Sequence, residues 1–206
     1  MEILRTANAG VLITLDKVTC LIDGVCKDFL CYKGTPEYLR KEISLNLPDI
    51  IAFTHMHEDH CDKDFLKKCK ETPRSVIGPG GSLLAKEKNV SVKGICTRHI
   101  GNDKIDHVSY VIEAEKCIWF MGDASPSELK KFECEKAPDV IIAPYAYANT
   151  ASSWKRTLDT GAKKVIILHL PDETKDEYSL TETVRSIVEN NPVCSILDIG
   201  ENLWVT

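Results

Sequence analysis

Three histidines and an aspartate fall within the six residues His55-Met56-His57-Glu58-Asp59-His60, directly after the apolar run Asp49-Ile50-Ile51-Ala52-Phe53. A short apolar run of this kind reads as a buried strand. The cluster therefore sits on the loop leaving the strand's C-terminal end, where open α/β sheets carry their active sites. While the chain is still extended, alternation puts the imidazoles of His55 and His57 on one side; Asp59 and His60 follow where it turns into a helix. Neutral imidazole suits Zn, Fe or Mn, and a carboxylate offsets the charge of the cation. The cluster could be a polar loop and nothing more, but short His-rich tracts favour metal binding on composition alone.

Further ligands have to come from a small set, because the chain has only three other histidines: His99, His107 and His169. His169 closes the apolar run Lys164-Val165-Ile166-Ile167-Leu168, and Asp123 follows Phe120-Met121-Gly122, where glycine permits close backbone approach. Taken alone, an Asp beside Gly is a turn residue and a lone His a satisfied structural group. Their shared place at strand ends, together with the first cluster, makes both candidate ligands.

Other apolar runs, Val11-Asp16, Val18-Asp23, Ser75-Ile77, His107-Glu113, Cys117-Met121, Asp139-Ala143 and Ser195-Ile199, read as short strands, the first two joined by a tight turn at Asp16-Lys17. Helical patterns cover Thr35-Ile43, Lys63-Cys69, Ser82-Glu87, Ser127-Glu133, Ala151-Asp159 and Ser179-Asn190. Strands early and a βα alternation later predict a layered α/β fold, and 206 residues with 43% apolar content predict a single domain over 1–206.

A net charge of −5 argues against a sequence-independent grip on nucleic acid, which needs clustered Lys and Arg. The nine cysteines are odd in number and form no C-x-x-C pair. That fits reduced thiols better than a disulfide framework or a zinc knuckle. With no apolar leader at Met1-Glu2-Ile3-Leu4-Arg5 and no run long enough to span a bilayer, the expected location is the cytoplasm.

The order His-x-His-x-Asp-His, His, Gly-Asp and strand-end His resembles the metallo-β-lactamase superfamily over nearly the whole chain. Leu21-Ile22-Asp23-Gly24, Pro138 to Pro144 and Leu197 to Leu203 are similar to that superfamily's early strand-end Asp, late buried strand and closing strand with its turn. The short length and the insertion-free path from Asp123 to His169 look most like the branch containing L-ascorbate-6-phosphate lactonase. The resemblance implies a four-layer αββα sandwich. It also implies a first cation held by His55, His57 and His99, a second by Asp59, His60 and His169, and Asp123 shared between them.

His99 is preferred to His107 as the third ligand because it follows the strand-like Val90 to Cys96 and precedes a loop, Ile100 to Asp106. Zn is the first expectation for both cations, with Mn and Fe compatible. Such a pair generates a bridging hydroxide, so the resemblance implies a hydrolase of a small-molecule lactone, ester, amide or phosphoester, with Asp59 and Asp123 as the catalytic carboxylates. Asp23 is expected to steady a ligand histidine rather than bind metal. A nuclease of the same superfamily and a non-catalytic metal-binding module are the competing readings; an iron and flavin redox variant is a third, although no flavin-binding domain is recognisable. Tyr145, Tyr147, Asn149 and Trp154 are candidates to line a pocket, the segment from Gly24 to Leu47 with Phe29, Tyr32 and Tyr38 to cover it. Cys61 reads as a buried thiol or a further ligand.

Overall fold

The computed structural model describes every residue except Cys134, one of the nine cysteines; the other eight are free thiols. Its strands are β1 (Glu2–Arg5), β2 (Val11–Leu15), β3 (Val18–Ile22), β4 (Ile50–Ala52), β5 (Ser75–Ile77), β6 (Leu84–Glu87), β7 (Val90–Arg98), β8 (Asp106–Glu113), β9 (Cys117–Phe120), β10 (Val140–Pro144), β11 (Lys164–Leu168), β12 (Cys194–Ile196) and β13 (Asn202–Trp204). The α-helices are α1 (Glu37–Leu45), α2 (Lys63–Lys70), α3 (Ala151–Leu158) and α4 (Leu180–Glu189). Among these residues no helix is long and apolar enough to cross a membrane.

One sheet runs in the order β13-β1-β2-β3-β4-β5, the other β12-β11-β10-β9-β8-β7-β6. Alternation along each strand gives each sheet two apolar faces. The facing pair is closed by Ile13, Cys20, Ile50, Tyr110, Phe120 and Ile142. Each outward face has its own layer: Leu21, Ile51 and Phe53 pack with Ile43 of α1 and Phe65 of α2, while Trp119, Ile141 and Ile167 pack with Val184 and Val188 of α4. The result is the αββα sandwich.

The β2–β3 hairpin turns through Asp16 (φ 48°) and Lys17 (φ 65°), the left-handed pair of a type I′ turn, and closes on Leu15 opposite Val18. One expectation fails. Ser82–Glu87 is not a helix; Leu84–Glu87 forms the edge strand β6, paired antiparallel to Val90–Lys93. Its Leu, Ala, Lys and Glu favour helix, but the turn at Lys88 (φ 53°) and the burial of Ala85 against the sheet outweigh a local preference of under about 1 kcal/mol per residue. The helix expected over Ser127–Glu133 is a 3₁₀ helix, Pro126–Phe132.

What positions the site is the parallel half of each sheet. β3 and β4 run parallel, as do β9, β10 and β11, so the C-terminal ends of these strands open onto one rim. Asp23, His55, Asp123 and His169 all follow those ends.

Candidate metal centre

The loop after β4 is fixed before any ligand is considered. Thr54 donates its N–H to Asp23 Oδ1 at 2.8 Å and its hydroxyl to Asp23 Oδ2 at 2.6 Å, and its carbonyl accepts the Val108 N–H at 2.9 Å. His57 O then accepts the N–H of His60 at 3.1 Å and of Cys61 at 2.8 Å, which curls the chain. Asp62 ends the curl by capping α2, accepting from Asp64 N at 2.9 Å and Phe65 N at 3.0 Å, and Arg40 holds that cap at 2.8 Å. Asp59 and His60 are thereby turned back toward His55.

These contacts also set the protons. Because the Thr54 hydroxyl donates to Asp23, its oxygen is free to accept Nδ1–H of His55 at 3.0 Å; Nδ1–H of His60 donates to Asp23 Oδ2 at 2.8 Å, and Nδ1–H of His99 to Ile100 O at 2.6 Å. In each case Nε2 is the ring nitrogen left facing inward. There the ring nitrogens crowd: His55 Nε2 lies 2.9 Å from His57 Nδ1, and His60 Nε2 3.1 Å from His169 Nε2.

Asp123 Oδ2 stands in the middle, 3.3 Å from Nε2 of both His60 and His169, 3.5 Å from that of His99 and 4.0 Å from that of His55. Among the described residues, three trios have donor atoms within 4.8 Å of one another: His55, His57 and His99; Asp59, His60 and His169; and His55, His60 and Asp123. All seven residues expected from the sequence converge, as two sets joined by Asp123. Asp59 Oδ1, Asp123 Oδ1 and His99 Nε2 are buried with no hydrogen-bond partner among the described residues. Unpaired buried polar atoms each cost about 1–3 kcal/mol, so a centre that gathers three of them is built for a charged occupant. Imidazole and carboxylate donors fit divalent transition metals.

The electrostatics agree. Burial alone would raise the Asp123 carboxyl, but the charges of His169 and His60 and its hydrogen bonds to them hold it well below the usual carboxylate range. Burial works against charge on His169 too, yet Asp123 and the bonds to Asp123 and Asp59 raise it to about 9. Burial and the neighbouring His60 drive His55 down. Asp123 with Asp59 thus favours a proton on His169, and Asp123 with Asp23 one on His60, at the positions where cations would balance the carboxylates.

The family described as Beta-lactamase superfamily domain matches residues 6–170. The chain belongs to this family. No curated protein matches it by sequence. Solved structures share the superfamily fold: a possible metal-dependent hydrolase from Veillonella parvula is 16% identical, covering 98% of each chain with a TM-score of 0.73. A metallo hydrolase from the archaeon Ignicoccus hospitalis is 17% identical over 98% of this chain and 97% of its own, with a TM-score of 0.66. An isothiocyanate hydrolase from Delia radicum gut bacteria is 15% identical over 99% of each, with a TM-score of 0.66.

Within this β-lactamase superfamily domain, the geometry separates the two histidines that spacing left open. His99 joins His55 and His57, whereas both ring nitrogens of His107 are already bonded, Nδ1 to Thr97 Oγ1 at 2.8 Å and Nε2 to the Asp123 N–H at 2.9 Å. Burial pushes His107 down to about 3, so the ring is neutral. No sequence signal marked this role, nor that of Thr54. Cys61 is not a ligand in any of the trios; it packs with Val25, Ile43 and Phe65 beneath the helices, and burial pushes its thiol up to about 12.

The expected pocket residues divide. The ring of Tyr145 lies 6.5 Å from that of His169, but Tyr147 is fully buried in the helical layer, Trp154 packs against that layer, and Asn149 is exposed. In the segment expected to cover the site, a bridge between Phe29 and Tyr32 brings Phe29 within 6.5 Å of His57 and Tyr32 within 4.3 Å of His169. That tip is tied down, with Cys31 O accepting the Asp172 N–H at 2.7 Å and Lys33 O the Asn8 N–H at 3.0 Å. It forms a wall of the site. Tyr38 is 60% exposed and neighbours Gly200, so it takes no part.

Proposed function

We propose that this domain is a hydrolase working with two divalent cations, Zn first, on a small molecule with a lactone, ester, amide or phosphoester bond. The observation that carries the reading is the placement of Asp123 Oδ2 between two imidazole sets, within 4.0 Å of four ring nitrogens. When bound, such a cation pair supplies a water deprotonated near neutral pH and a Lewis acid for the substrate's carbonyl or phosphoryl oxygen. His55, His57 and His99 would hold one cation, Asp59, His60 and His169 the other, and Asp123 both. Asp59 Oδ1, which has no hydrogen-bond partner among the described residues, would orient the attacking water and accept its proton. Phe29 beside His57, and Tyr32 and Tyr145 beside His169, would form the aromatic edge against which a compact substrate packs.

The insertion-free path from Asp123 to His169 supports a place beside the lactonase branch of the superfamily, and the net charge of −5 supports a small substrate over nucleic acid. The reading treats 1–206 as one cytoplasmic domain. Its test is a screen of Zn- and Mn-reconstituted protein against lactones, phosphodiesters, β-lactams and, given the fold shared with an isothiocyanate hydrolase, isothiocyanates. Turnover of a lactone or another small-molecule ester supports it. Turnover of a phosphodiester alone favours the nuclease reading, and turnover of none favours the non-catalytic module.

A further inference from the structure

His107 lies outside the ligand set, yet the turn carrying Asp123 hangs from it. The turn passes through Gly122 at φ +55°, where a Cβ would come within 2.6 Å of Thr54 Cγ2 and 2.9 Å of His107 Nε2. Both peptide groups flanking this glycine are gripped by one polar chain. Ser109 Oγ donates to Met121 O at 2.8 Å, Thr97 Oγ1 is 2.9 Å from Ser109 Oγ, His107 Nδ1 is 2.8 Å from Thr97 Oγ1, and His107 Nε2 accepts the Asp123 N–H at 2.9 Å.

The direction of the chain is determined. Ser109 has its one proton on Met121 O, so it accepts from Thr97; Thr97 has given its proton to Ser109, so it accepts from His107 Nδ1–H; and Nε2, without a proton, accepts from the Asp123 amide. Each end requires the same tautomer. Thr97 is 7% exposed, His107 3% and Ser109 fully buried, so water is not available to repair a broken link.

We propose that His107, held in its Nδ1–H form by Thr97 and Ser109, is the positioning residue that fixes Asp123 between the two cations. This inference rests on the metal-centre reading above. Partners one step behind a metal ligand typically set affinity by about 10–100-fold. Here the partner is the ligand's own backbone amide, reached from a neighbouring strand. A polar chain that merely fills space in the sheet would leave cation binding unchanged when it is broken.

The test uses metal-free full-length protein titrated with Co²⁺ and Zn²⁺ against a competing chelator, together with ¹⁵N NMR of the imidazoles. Wild type is expected to show His107 as the Nδ1–H tautomer. His107→Phe, which takes away the acceptor, should weaken the more loosely held cation by at least about 10-fold and alter the Co²⁺ absorption band, and His107→Gln, whose amide oxygen can accept from Asp123, should restore much of both. Thr97→Val keeps the volume and frees the ring to change tautomer; a mixed tautomer with weakened cation binding is expected, and this variant carries the test should His107→Phe not fold. A folded His107→Phe or Thr97→Val that binds both metals like wild type overturns the proposal, as does an Nε2–H tautomer in wild type. Wild type that binds no metal instead overturns the metal-centre reading, while the tautomer measurement still decides the hydrogen-bond chain.

Discussion

Asp23 Oδ2 accepts Nδ1–H of His60 at 2.8 Å, and both side chains are fully buried. The same carboxylate accepts the Thr54 N–H and hydroxyl, and the Thr54 oxygen in turn orients His55, so one aspartate sets the proton positions of a histidine from each trio. Asp23→Ala leaves three donors unanswered. Cation affinity should fall by about 10–100-fold, with both ions affected, as read by chelator competition. A loss confined to one ion would contradict the shared role.

Purified protein should carry close to two transition-metal ions, and Asp59→Ala combined with His60→Ala should remove one of them and most of the activity. Elemental analysis checks the count; protein with no metal under metal-replete conditions sinks the reading. Stripping the ions should also lower the thermal midpoint, since a ligand at about 1,000 times its Kd adds about 4 kcal/mol to the folded state.

Glu128 is buried against Arg98 Nε at 2.9 Å and Lys131 Nζ at 2.7 Å. Burial raises its carboxyl, but the bonds to Lys131 and Arg98 outweigh this and hold it below the ordinary 4.5. A depressed folded pKa contributes stability that is fully present above the unfolded value and is lost as pH falls through the folded one. Wild type should therefore exceed Glu128→Gln by about 1 kcal/mol at neutral pH, the partner side chains being part-exposed. The margin should shrink only below about 4.5, which thermal midpoints across an acid series would show. A margin that grows on acidification contradicts the sign.

Cys61 is 2% exposed and Cys96 is exposed. A thiol-specific reagent should label Cys96 in the native protein and reach Cys61 only on unfolding, as peptide mapping would show. Cys61→Ala should cost about 1 kcal/mol or more of packing and leave the metal count unchanged. Loss of an ion would restore the thiolate as a ligand.

The strands bearing the rim were legible because a strand end followed by His or Gly-Asp is a feature of neighbouring residues: the runs before His55, Asp123 and His169 each became β4, β9 and β11. The hairpin at Asp16-Lys17 was legible for the same reason, the register being set by adjacent residues. Ser82–Glu87 was not, because its helix-favouring side chains are local while the pairing of Leu84–Glu87 with Val90–Lys93 depends on an edge left open by the sheet. Tyr145 and Tyr147 illustrate the same limit: two residues apart after one strand, one ring nears His169 and the other enters the helical layer.

Residue type and spacing along the chain thus supplied the candidate donors and the layered fold, and the family resemblance their grouping, since ligand chemistry and apolar periodicity are written in short segments. His99 and His107 both satisfied that spacing. Tertiary packing separated them, because a ring nitrogen's role depends on what faces it: His99 Nε2 has no hydrogen-bond partner among the described residues, whereas β7, β8 and the turn after β9 met around His107 and used both its nitrogens.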